Sequence, residues 1–150
     1  MTQSKKAPRR QERAFAFKVL YGLCFAPAAS EAELLRAFQC SPDRPDGMDD
    51  EDSFAWRLCF GVWQHQDELD KAIAGLSENW RVARMGKVEV TLLRIAMFEL
   101  MKQKDMPPKV SINEAVELSK QFGDDRSRGF VNGILDAAAK ALEAGGQGGE

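Results

Sequence analysis

The chain has 150 residues, 44% of them hydrophobic, three cysteines and a net charge of −2. That length fits one domain or two tightly joined subdomains, and that composition excludes a disordered polymer. No window approaches eighteen uncharged apolar residues, and Cys24, Cys40 and Cys59 are scattered without CxxC spacing; this argues against a membrane span, a disulfide framework and a zinc site, and for a reducing, cytoplasmic setting.

In chain order, the first element is a basic arm over residues 1–8, on a chain whose charge is uneven. Residues 1–20 hold six basic side chains against one acid, and residues 21–70 hold three against eleven. A basic arm on an acidic body suggests a polyanionic partner, and the plain alternative is a solubilising terminus. Glu12, Arg13 and Lys18 interrupt the apolar run that a secretory signal would need.

A helix is predicted over 9–25. Phe17, Leu20, Tyr21 and Cys24 share one side at helical spacing, and Phe15 and Val19 share another. Two apolar sides suit a central helix or one shared with a partner, so self-association is as compatible as a heterodimer. Arg9 and Arg13 continue one face backwards and are expected to project beyond the body. Ser30 and Glu33 form a capping box opening a short helix to 38. Residues 39–52, with two prolines, a glycine and many acids, read as a loop.

A continuous helix over 53–77 is expected, with Phe54, Leu58, Val62, His65, Leu69, Ala72, Ile73 and Leu76 on one face. His65, the only histidine, reads there as a satisfied core residue. The next helix, 84–102, is apolar around most of its girth, and Glu89 and Glu99 on that apolar side must be paired, hydrogen-bonded or at a rim. Pro107 and Pro108 end that segment. Ser111 and Glu114 form a second capping box, for a helix to 122 with Gly123 at C′. A last helix spans 127–142 and turns Phe130, Val131, Ile134, Ala138 and Ala141 inward. Residues 143–150 are expected to be a flexible tail. The whole is an all-α chain of six to seven helices in two packed bundles, with subdomains over about 9–77 and 80–142.

Catalytic signatures are missing. There is no G-x-S-x-G, P-loop or G-x-G-x-x-G. Glu114 and Glu117 have spacing common on solvated helices. No catalytic residue, metal ligand or cofactor is assigned, and the chain is not expected to be an enzyme.

Four segments carry a family likeness: RRQERAFAFKVLY (9–21), NWRVARMGKVEVTLLRIAMFEL (79–100), DMPPKVSINEAVELSKQFG (105–123) and SRGFVNGILDAAAK (127–140). In this order they resemble the NusB family of bacterial transcription antitermination factors. The resemblance covers about 9–25 and 54–140, and the 39–52 loop shows none. It implies binding to the boxA element of ribosomal RNA leader transcripts as single-stranded RNA. It implies a heterodimer with ribosomal protein S-ten (NusE) acting on the RNA polymerase elongation complex with other Nus factors. A related module is fused to RNA cytosine methyltransferases, but no such catalytic domain follows within these residues, and methyl transfer is not expected.

Carried over by position, the family's arginine-rich motif falls on Lys5, Lys6, Arg9, Arg10 and Arg13, thinned where Gln11 stands. Tyr21 and Phe130 are the stacking candidates. Arg126 and Arg128, just before Phe130, add positive charge to a loop where relatives carry acidic or uncharged residues. The partner-protein face falls on Glu89, with Arg94 and Tyr21. Three rivals predict different behaviour: a protein–protein scaffold without RNA contact, a DNA-binding helical regulator, and a hydrolase.

Overall fold

The computed structural model describes residues 8–48, 51–77, 81–103 and 105–148, with side chains as far as 143. Lys5 and Lys6 lie outside the described residues. The fold is all-α: α1 (Arg9–Leu23), α2 (Glu31–Gln39), α3 (Phe54–Gln64), α4 (Gln66–Leu76), α5 (Lys87–Lys102), α6 (Pro108–Phe122) and α7 (Asp125–Gly148). A short 3-10 turn, Val82–Arg84, precedes α5. No helix is long and apolar enough to cross a membrane among the described residues.

The chain forms two compact units, 1–64 and 65–150. The expected 53–77 helix is therefore two helices, and the division falls at the break between them. His65 is the break: its backbone leaves helical geometry and it becomes the N-cap position of α4. It is not a core histidine. Its ring is half-exposed, stacks 6.4 Å from Phe98 and lies 3.5 Å from the Glu68 carboxylate.

In the first unit, α3 packs on α1 and α2. Aromatic rings fill the junction. Phe15 meets Phe38 edge-on at 5.1 Å, and Phe38 meets Trp56 at 5.3 Å. Leu34, Leu58, Cys59 and Val62 complete a closed core. Ser30 caps α2 by accepting the Glu33 amide at 3.2 Å, while the Glu33 carboxylate reaches back to the Ala29 amide at 2.8 Å.

In the second unit, α5 is the central element, packed against α4, α6 and α7. Leu92, Leu93, Ile95, Ala96, Met97 and Phe98 are all buried, as its all-round apolar sequence requires. Glu99 is 1% exposed and accepts a hydrogen bond from Ser111 Oγ at 3.0 Å, which satisfies a carboxylate that burial would otherwise penalise.

That bond also explains a departure. Ser111 does not cap a helix, because its hydroxyl is committed to Glu99 three residues inside α6. The helix opens instead at Pro108, with proline in the first turn, where a missing amide costs nothing. The prolines thus begin a helix rather than close one. Gly123 ends α6 in an extended conformation, not the left-handed one expected of a C′ glycine. It is required for space: a Cβ there would lie 2.8 Å from Ser127 Cβ and 3.1 Å from the Ser119 carbonyl. The last helix begins two residues early, because Asp124 accepts the Ser127 amide at 2.9 Å. It also runs on to Gly148, since no proline or capping turn stops it.

Candidate nucleic-acid interface

The basic residues begin in the first unit, at the start of α1. Arg9 and Arg10 are exposed in its first turn, at the positive end of the helix dipole. Cations are unfavourable at that end of a helix dipole, and Glu12 is the acidic residue of the same turn. Glu12 faces inward and accepts the Ala55 amide at 2.8 Å, while Ser53 accepts the Trp56 amide at 2.9 Å. Two of the orphan amides opening α3 are thereby satisfied, one of them by a side chain from α1.

Arg13 departs from expectation. It is 3% exposed and does not project beyond the body. Its guanidinium lies over the Phe54 ring, 5.0 Å from the centroid, and that of Arg9 lies over the same ring at 4.4 Å. The reason is geometric: residues four apart share a helix face, and α3 brings Phe54 to that face. The sequence stripe held Arg9 and Arg13 together but gave no sign of the ring that receives them.

Tyr21 stands near the other end of α1, about 18 Å from Arg9 along the helix axis. It is half-buried, stacked on Phe17 at 5.7 Å and edge-on to Phe25 at 5.2 Å. Phe25 is 62% exposed, an aromatic surface that sequence reading missed because helical periodicity assigned it only as a helix end.

In the second unit a cleft of about 230 Å³ opens between the 3-10 turn and the start of α7. Arg84, Met85, Gly86, Glu89, Asp124, Arg126, Ser127 and Phe130 line it. Three predicted residues thus come together: Glu89, Arg126 and Phe130. Their expected roles were separate, one for a protein partner and two for RNA. Ser127 Oγ donates to the Glu89 carboxylate, which folds back over Gly86, where a side chain would collide with it. The Ser127 amide, with Arg126 nearby, holds the Asp124 carboxyl below the usual carboxylate range. The cleft therefore offers guanidinium groups from Arg84 and Arg126, one aromatic wall and two hydrogen-bonded carboxylates. Arg84 was missed: nothing in its local sequence distinguishes it from a solvated helix-flanking charge.

Two predicted residues sit outside this cleft. Arg128 pairs with Asp125 within the first turn of α7. Arg94 makes a two-pronged ion pair with Asp70, both contacts at 2.8 Å, which ties α5 to α4. Among the described residues, no group of three histidine, cysteine or acidic side chains is placed to hold a metal.

Comparison with known proteins gives one consistent result. The NusB family profile matches residues 10–140. The transcription antitermination protein NusB of Nitratidesulfovibrio vulgaris (strain DSM 19637 / Miyazaki F) is 56% identical over 155 residues, covering 95% of this chain and 94% of that protein. Its counterpart in Myxococcus xanthus is 43% identical, covering 89% and 96%. A solved structure of T. maritima NusB superposes with a TM-score of 0.78 at 34% identity, covering 91% of this chain and 93% of that one. A crystal structure of antitermination factors NusB and NusE in complex with dsRNA superposes with a TM-score of 0.73 at 27% identity, covering 89% and 96%.

Proposed function

The chain belongs to the NusB family of transcription antitermination proteins, a non-enzymatic family, and from that premise we propose that it binds boxA-type RNA of ribosomal RNA leader transcripts together with ribosomal protein S-ten (NusE). In this reading it joins the RNA polymerase elongation complex with other Nus factors, in the cytoplasm, and suppresses termination. The observation that supports the reading is the placement of Arg9 and Arg10, both exposed, in the first turn of α1 at the positive end of its dipole.

The arm, with Lys5 and Lys6, supplies phosphate attraction without sequence choice. Sequence choice comes from exposed aromatic faces and base-edge contacts. Phe130 with Arg126 in the second-unit cleft is the better-placed candidate, and Arg84 joins them. Tyr21 and exposed Phe25 serve the protein partner or a base, whereas Arg128 is partly neutralised by Asp125. Glu89 contributes to the partner face through the network it shares with Ser127. Arg94 contributes by fixing α4 against α5 rather than by offering free donors.

A short arm on a net-acidic chain binds weakly, so a basic partner that extends the surface raises affinity. Fluorescence anisotropy with a labelled boxA-type strand, with and without the ribosomal protein, tests this. The expected result is weak binding alone and at least tenfold tighter binding by the heterodimer. A duplex of the same sequence and a duplex DNA serve as competitors. Equal affinity with and without the partner, or preference for duplex DNA, would overturn the reading. Partner binding with no RNA response would favour the scaffold.

A further inference from the structure

We infer that Phe54 is a positioning residue for RNA binding: its ring holds Arg9 in a fixed pose that presents a phosphate-binding guanidinium at the start of α1. The inference rests on the proposed RNA-binding reading and goes beyond it, because Phe54 lies in α3 and was assigned only to the core.

Phe54 is buried at the first position of α3 and carries two cations on one ring. Arg9 is exposed and Arg13 is not. A guanidinium over an aromatic face is held by the ring's electrostatics and leaves its planar fork of N–H donors for a bidentate acceptor. A free arginine side chain must give up rotamer freedom when it clamps a phosphate. One already held by a ring gives up less.

The register of the ring is fixed independently. Glu12 binds the Ala55 amide, one residue after Phe54, so α1 cannot slide relative to the start of α3 without breaking that bond. The two guanidinium groups share one ring and so lie within about 10 Å, roughly a Debye length at 0.1 M salt. Their mutual repulsion is reduced when a phosphate arrives. The pose therefore favours the bound state on two grounds: preorganisation and charge.

The test uses the full chain with the ribosomal protein and a labelled boxA-type RNA strand. Phe54→Leu keeps apolar bulk and removes the π face. Pentafluorophenylalanine in place of Phe54 keeps the shape and reverses the ring's electrostatics, so it carries the test if Phe54→Leu fails to fold. Both are expected to weaken RNA binding about fivefold or more, and Phe54→Trp is expected to retain it. Binding of the ribosomal protein in the absence of RNA should be unchanged.

The decisive readout is coupling. Arg9→Ala should weaken binding in the native background and have little further effect in either ring variant. A purely structural Phe54 would leave the Arg9→Ala effect intact. Additive losses, or unchanged RNA affinity in a folded ring variant, would overturn the inference while the RNA-binding reading stands. Failure of the unsubstituted complex to bind RNA would remove both.

Discussion

Glu12 and Arg13 are adjacent in sequence and both buried, yet they serve different neighbours. The Arg13 guanidinium lies over the Phe54 ring, whereas Glu12 serves α3 by accepting the Ala55 amide. A buried amide without an acceptor is costly, and so is the loss of a helix-opening side-chain acceptor. Glu12→Ala removes the one acceptor that serves the Ala55 amide at the start of α3. It should destabilise the chain by about 2 kcal/mol, with Glu12→Gln costing roughly half of that because its amide oxygen still accepts. Urea denaturation reads this as a lower midpoint at constant slope. An alanine variant as stable as the parent would mean that the Ala55 amide finds another acceptor.

At the scale of elements, the start of α7 is set by one carboxylate. Asp124 accepts the Ser127 amide and is held below the usual carboxylate range by that bond and by Arg126. A folded-state value below the unfolded one means the ionised form is preferred in the fold. Its contribution is complete above the unfolded value and is lost as pH falls through the folded one. The Ser127 amide resonance should therefore titrate with a midpoint below that of an ordinary aspartate, and Asp124→Asn should abolish the titration. A midpoint at the ordinary value would show that the bond does not persist in solution. This start was legible only in part. The helix itself was plain from Val131, Ile134 and Ala138, which are buried as expected. Its first residue was not, because the apolar stripe predicts a start at 127, whereas the Asp124 carboxylate takes the Ser127 amide and the helix opens at Asp125. The same limit applied at Ser111, whose capping pattern was real but whose hydroxyl was claimed by Glu99, twelve residues away. Local patterns fix helices and their faces. Distant partners decide which of several suitable side chains does the capping, and why Arg13 lies inward. The candidate cleft divided likewise: Arg126 and Phe130 were named from the family resemblance and both line it, whereas the place of Arg84 in it, and that of Phe54 under two cations, show only in the folded chain.

At the scale of the whole molecule, charge is the quantity that matters. The net charge is −2, yet the first twenty residues hold six cations against one acid. The acidic excess is confined to residues 21–70, three cations against eleven acids, so a polyanion is repelled by that stretch and attracted by the first twenty residues. Each phosphate neutralised on a single strand contributes about −0.7 to the slope of log K against log salt. Arg13 is withdrawn over Phe54, so the proposed function leaves Lys5, Lys6, Arg9 and Arg10 as the arm's four phosphate contacts and predicts a slope of about −2.8. Arg10→Ala should flatten that slope by about 0.7 and weaken binding most at low salt. Lys71→Ala, an exposed cation on α4, is the matched control, since it removes the same charge from another part of the surface. If binding follows position, only the arm variant changes the slope. If it follows the total, both variants shift affinity alike, and the arm is no more than one contributor to a diffuse field.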